Sequence, residues 1–193
     1  MNKPLFLFVG RSSSGKTTIA NMLHEEYGLK QIWSYTTRPP RYDNEPGHIF
    51  ISESDFDNLG ELAAYTLYNN YRYGTTFEQL NDADIYVVDV PGVETLLDKL
   101  KDDKRPIHIF YFDVSVYNRI LRMSERGDND QMIVSRLLED EKFDWFQKLN
   151  SIVWNYNNIV GKQVELYNIN ANGGTKDVIS LVRYYMNKNE GWL

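Results

Sequence analysis

An α/β fold, with a parallel central sheet between two layers of helices, follows from three observations on this 193-residue sequence. Short apolar runs rich in β-branched and aromatic residues alternate with stretches whose apolar positions recur at helical spacing. Strands separated by helices make βαβ units, whose crossovers run the strands parallel. A turn rich in glycine and serine, residues 10–15, joins the first apolar run to the first helical stretch.

Leu5 to Val9 is a continuous apolar run that stops at Gly10, the pattern of a strand buried on both faces. Ile19, Ala20, Met22, Leu23 and Tyr27 then mark a helix over residues 16–27, with Gly28 as its stop. Residues 31–35 predict a second strand. The run Asp84-Ile85-Tyr86-Val87-Val88-Asp89-Val90 is the clearest strand of all. A helix is expected over 91–101, a strand over 106–113, a helix over 115–125 and one long helix over 131–150. The last strand begins at Lys162 and ends at Ile169, and the last helix covers 176–188. Between Thr36 and Asn81 the short runs His48-Ile49-Phe50-Ile51 and Tyr65-Thr66-Leu67-Tyr68 predict a small, partly antiparallel insertion. The polar stretch 124–130 reads as a solvated loop or a mobile lid.

Composition narrows the function classes. Hydrophobic residues make up 42% and charged residues 25%, which excludes a disordered or collagen-like chain. The absence of cysteine excludes a disulfide scaffold, Cys-ligated zinc, an iron–sulfur cluster and a thiol nucleophile, and fits a reducing compartment. No stretch approaches the ~20 apolar residues that span a bilayer, and the opening apolar run is too short for a signal-peptide core. The net charge of −6 argues against general nucleic-acid binding, which draws its affinity from clustered cations. The expectation is a cytoplasmic protein without nucleic-acid or membrane partners.

Gly10-Arg11-Ser12-Ser13-Ser14-Gly15-Lys16-Thr17 satisfies the P-loop pattern G-x-x-x-x-G-K-[ST]. Its glycines let successive N–H groups point at one anion, and the helix that starts near Lys16 adds its positive end. Gly10, Ser12, Ser13, Ser14, Gly15, Lys16, Thr17 and Thr18 are therefore the candidate ATP-binding residues. Lys16 reaches toward the β- and γ-phosphates, and the Thr17 hydroxyl is placed to ligate Mg²⁺. A second cluster, Ser34-Tyr35-Thr36-Thr37-Arg38-Pro39-Pro40-Arg41, sets two arginines three residues apart beside stiffening prolines. In an acidic chain that is a site for a doubly charged phosphate, which arginine grips with two parallel donors.

The P-loop followed in order by Ser34-x-Thr-Thr-Arg-x-x-Arg41, Gly47-x-x-Phe50, Tyr73-Gly74-Thr75, Asp89-x-x-Gly92 and Arg122-x-x-x-Arg126-Gly127 resembles the guanylate kinase family. The match runs from Leu5 to Leu137, about seven-tenths of the chain. The resemblance implies a P-loop αβα core (1–35, 82–121 and 137–193), a nucleoside-monophosphate-binding insertion (36–81) and a lid (122–136). It implies ATP-dependent phosphoryl transfer with Mg²⁺ to a nucleoside monophosphate, GMP or dGMP first. Arg38, Arg41 and Tyr73 match positions that hold the acceptor phosphate, and Ser34 and Thr75 match positions at its base. Asp89 matches an acidic position near the acceptor and the metal's waters. Arg122, Arg126 and Arg136 match lid arginines that, with Lys16 and Arg38, form the catalytic set.

The pattern lapses at two places. Nine residues before Tyr73, where the family carries a guanine-reading glutamate, stands Ala64, and His48 replaces an expected phosphate-binding tyrosine. Histidine still offers a donor, with a charge that follows pH. These lapses motivate a different acceptor, such as another deoxynucleotide, a modified nucleotide or a phosphorylated ribose. A catalytically inactive binding module is the alternative from another class. Trp145, Phe146, Trp154 and Tyr156 read as core or interface, Glu139-Asp140-Glu141 as a solvated helix face, and 170–174 as a turn able to edge the donor base.

Overall fold

A computed structural model describes residues 3–190, apart from 143 and 162. Strand β1 (Leu5–Val9) is buried along its whole length and leads through the glycine-rich turn into helix α1 (Lys16–Tyr27). There follow β2 (Ser34–Thr36), β3 (His48–Phe50), the short helix α2 (Glu53–Asp57), β4 (Leu62–Tyr68), β5 (Tyr71–Thr76) and α3 (Phe77–Asp82). The chain continues as β6 (Ile85–Val87), α4 (Val90–Lys99), β7 (Ile107–Asp113), α5 (Val116–Glu125) and α6 (Asp130–Asp140). It closes with α7 (Trp145–Asn155), β8 (Val164–Asn170) and α8 (Thr175–Glu190).

The strands form two sheets. The first has the order β6-β1-β7-β8 and is parallel throughout, with Phe8 beside Val87 on one side and Phe110 on the other. Side chains of a strand alternate between faces, and β1 divides accordingly. Leu5, Leu7 and Val9 share a core with Val93, Leu96 and Leu97 of α4 and with Leu149 and Val153 of α7. Phe6 and Phe8 pack with Phe110, Phe112, the Ile19–Leu23 stripe of α1 and Val178, Ile179 and Val182 of α8. Each such side chain contributes roughly 1.5–3 kcal/mol on burial. Because every parallel strand points the same way, the loops that follow β1, β6, β7 and β8 gather at one edge of the sheet.

The second sheet has the order β3-β2-β5-β4, with β2 and β3 parallel and the other pairs antiparallel. The β4–β5 hairpin turns on Asn69 and Asn70, both at positive φ (49° and 62°), as a two-residue turn requires.

Several expectations are corrected. Gln31 makes only an isolated bridge to Ile85, and the strand at Ser34–Thr36 belongs to the second sheet. The strand expected over 84–90 ends at Val87, because the Asp89 carboxylate accepts the Gly92 N–H at 2.8 Å and starts α4, with Pro91 in its first turn. The long helix over 131–150 is two helices. The first ends at Asp140, and Asp144 caps the second by accepting the Gln147 N–H at 3.0 Å. Trp145 Nε1 donates to the Asp140 carbonyl at 2.7 Å and closes the corner. Trp145 and Tyr156 are buried as expected, but Trp154 is 65% exposed. Asp140 is 1% exposed, so residues 139–141 are not a simple solvated face. The polar stretch at 124–130 takes in the last two residues of α5, a turn over 126–129 and the first residue of α6. Lys162 lies outside the described residues, and β8 runs from Val164 to Asn170.

Candidate functional site

The turn after β1 is built around two glycines. Gly10 has φ 152°, and a Cβ there would stand 2.7 Å from the Phe112 carbonyl oxygen at the end of β7. Gly15 has φ 94° and precedes the first turn of α1. Lys16 folds back along the turn: Nζ donates to Gly10 O (2.7 Å), Arg11 O (2.9 Å) and Ser14 Oγ (3.0 Å). Burial pushes its ammonium down to about 8, while Asp140 and Asp89 pull the other way. Thr17 and Thr18 are exposed at the start of the helix.

The second cluster is organised by a residue the sequence reading did not single out. Glu45 is 4% exposed at its side chain and takes Arg38 on both oxygens, Nη2 to Oε1 at 2.8 Å and Nη1 to Oε2 at 3.1 Å. It also accepts the Arg41 N–H at 2.7 Å and Arg41 Nη1 at 3.1 Å. The carboxyl is held below its ordinary value: burial opposes ionisation, but the hydrogen bonds and charges of the two arginines outweigh it. Burial, then Arg136 and Arg38, push Arg41 down to about 10. Crowded cations of this kind favour an anion among them.

Arg122 of α5 bridges two loops, donating from Nη1 to Ser13 O at 3.4 Å and from Nη2 to Ala171 O at 2.7 Å. Arg126 and Arg136 converge on Asp128, which pairs with Arg126 and lies 3.4 Å from Arg136 Nη1. Burial works against that carboxylate, yet the Arg126 hydrogen bond and the surrounding arginine charges hold its carboxyl below the usual range.

Of the residues expected from the sequence, Gly10, Ser12, Ser13, Ser14, Gly15, Lys16, Thr17, Thr18, Ser34, Arg41, His48, Tyr73, Asp89, Arg122, Arg126 and Arg136 line one cleft of about 620 Å³. Arg38 and Thr75 do not line it. Arg38 is engaged with Glu45 and lies over the Phe50 ring. Thr75 is fully buried. Ala171 and Gly173 of the turn before α8 also line the cleft. Tyr68, Tyr86 and Asp140 were not foreseen there. The two halves of the cleft come close: a Cβ on Gly47, before β3, would stand 3.6 Å from Thr17 Cγ2.

His48 requires a correction. Its Nδ1 lies 3.0 Å from Ser34 Oγ, and burial, then the Arg38 charge, push it down to about 4. The imidazole is therefore neutral around pH 7, and its charge does not follow pH there.

The donor set fits magnesium. Thr17 and Asp89 bring one hydroxyl and one carboxylate to the same cleft. Burial raises the Asp89 carboxyl, against hydrogen bonds from the Gly92 N–H and the Thr66 hydroxyl and the charge of Lys16. Among the described residues no group of three or more His, Cys, Asp or Glu could hold a metal by itself. Mg²⁺ suits such a site, because it keeps waters and phosphate oxygens as most of its ligands.

Comparison with known proteins finds similar chains among the guanylate kinases. A guanylate kinase of Neisseria meningitidis serogroup A is 29% identical over 153 residues, covering 72% of this chain and 73% of that protein. A guanylate kinase of Mycoplasma genitalium is 26% identical over 158 residues, 76% and 65% of the two chains. One from Chlamydia muridarum is 36% identical over 106 residues, 48% and 51% of the two. The crystal structure of guanylate kinase from Anaplasma phagocytophilum superposes with a TM-score of 0.58 at 14% identity, covering 98% of this chain and 88% of that one. No family model matches the chain. Among the described residues no helix is long and apolar enough to cross a membrane. The chain is similar to the guanylate kinases over most of its length, and it carries their fold.

Proposed function

We propose that this relative of the guanylate kinases is a nucleoside monophosphate kinase, transferring the γ-phosphoryl group of ATP to an acceptor monophosphate, GMP or dGMP first. The observation that carries the reading is that the glycine-rich cradle and Arg41 open into one cleft. An oxygen of the acceptor phosphate attacks the γ-phosphorus. The bond from that phosphorus to the bridging oxygen breaks, and the electron pair leaves with ADP. A phosphate oxygen is already a competent nucleophile, so the chain need supply only position and charge. The amides of 10–17 hold the donor phosphates, and Lys16 together with Arg122, Arg126 and Arg136 neutralises charge on the moving group. Arg41 and Tyr73 aim the acceptor, with Arg38 and Glu45 fixing Arg41 from behind. Thr17, and Asp89 through water, would hold Mg²⁺, which supplies further neutralisation of the phosphate oxygens. In this reading the segments 36–81 and 122–136 close over the substrates and exclude competing water.

A second acceptor is favoured by one observation. Ala64 is fully buried opposite Thr75 and does not line the cleft, so no carboxylate reads guanine N–H donors from that position. Sites that hydrogen-bond a substrate discriminate strongly only when the partner group is present. The test is a panel of ribo- and deoxyribonucleoside monophosphates and phosphorylated ribose, each assayed with ATP and Mg²⁺. Turnover of GMP or dGMP well above the others supports the first acceptor, and preference for another member replaces it. ATP binding without transfer to any acceptor refutes the kinase reading in favour of a binding module.

A further inference from the structure

A buried ion pair lies against the cradle, and phosphoryl transfer as described makes no use of it. Arg119 of α5 is fully buried and Asp140, the last residue of α6, is 1% exposed. Arg119 Nη2 donates to Asp140 Oδ2 at 2.6 Å. The same carboxylate oxygen accepts the main-chain N–H of Ser12 at 2.9 Å, and Arg119 Nε donates to the Ser12 carbonyl at 3.1 Å. One ion pair therefore holds both main-chain polar groups of Ser12. The Ser12 hydroxyl lies 3.2 Å from the Tyr68 hydroxyl at the end of β4. Arg11 and Glu141 extend the cluster, with Glu141 Oε1 3.5 Å from Arg11 and 3.8 Å from Arg119, so its charges balance.

Two full charges taken from water cost more in desolvation than apolar residues of the same volume, so stability alone does not account for them. What the pair supplies is direction. Its fork fixes the peptide groups on either side of Ser12, and with them the orientation of the N–H groups that follow toward Lys16. It also ties that loop to the C-terminal end of α6, the helix carrying Arg136. We propose that Arg119 and Asp140 are positioning residues, which set the conformation of the phosphate cradle through Ser12 and couple it to the lid helix. The proposal rests on the reading of residues 10–17 as the cradle for ATP.

Removing one partner strands the other charge in the interior and threatens the fold, so the decisive variant is the double replacement Arg119→Met with Asp140→Leu. We expect it to melt within a few degrees of wild type while its calorimetric Kd for ATP and its KM for ATP rise roughly tenfold or more, with the acceptor KM essentially unchanged. Arg119→Lys is the second variant. It keeps the charge beside Asp140 but loses the fork that reaches Ser12 O, and should weaken ATP binding severalfold with acceptor KM unchanged. Wild-type ATP affinity in a folded variant overturns the proposal, and so does an equal rise in both KM values. Should the wild-type protein bind ATP but phosphorylate no monophosphate, the acceptor reading fails while the ATP titrations still judge the pair. Should it not bind ATP, both fall.

Discussion

Glu45 and Arg38 are joined by two parallel hydrogen bonds in a setting where neither side chain is more than 9% exposed. The same carboxylate holds Arg41, so one acidic residue orders both arginines. Glu45→Ala leaves Arg38 charged and unpaired, a change that costs about 3–5 kcal/mol in buried pairs. Denaturant melts should show a loss of that order, and the acceptor KM should rise at least about tenfold with the ATP KM unchanged. The carboxyl is held below its ordinary value, so its stabilisation is present at neutral pH and is lost as pH falls through the folded pKa.

Arg41 faces the cleft, whereas Lys16 belongs to the opposite, cradle side. Arg41→Met should therefore weaken acceptor binding by roughly tenfold to a hundredfold and leave ATP binding nearly unchanged. Calorimetric titrations with each nucleotide check this, and the reverse ranking would misassign the two halves of the cleft.

Lys16→Ala removes a half-buried cation without opening either apolar core. The melting temperature should stay close to wild type while kcat falls by about a hundred- to a thousandfold, the range seen when one preorganised charge is removed from a transition state. Equal turnover in variant and wild type would remove Lys16 from the catalytic set.

His48 titrates at about 4 in the folded chain, below its reference of about 6.5. Between those values the unfolded chain takes up a proton that the folded one refuses. The folded state thus loses stability as pH falls from about 6.5 toward 4, by at most about 2–3 kcal/mol from this residue. In His48→Gln the difference between melts at pH 7 and pH 5 should shrink by that contribution. Any step in acceptor KM at about pH 6 should come from the second ionisation of the acceptor phosphate itself and so be the same in wild type and His48→Gln.

The glycine-rich turn, its flanking strand and α1 were fully legible as local structure, because glycine spacing and unbroken apolar runs are local signals. The boundaries of β1 and α1 match those read from the sequence. Glu45 and Asp140 were not legible. Each looks like one more surface acid until the fold brings a guanidinium against it, and Arg119 sits 21 residues from Asp140. The break between α6 and α7 was hidden for a related reason: helical periodicity runs on across 141–144, while the Trp145-to-Asp140 bond that makes the corner is a product of packing. His48 was misjudged on charge because burial, not residue type, fixes its protonation.

Strand β1 sends Leu5, Leu7 and Val9 to one interior and Phe6 and Phe8 to the other, and the loop proposed to cradle phosphate is the direct continuation of its last residue. That loop is the flower on a stem gripped from both sides. Slackening either grip is felt at the same tip, and under the proposed function a nucleotide seated there would brace two otherwise separate apolar interiors.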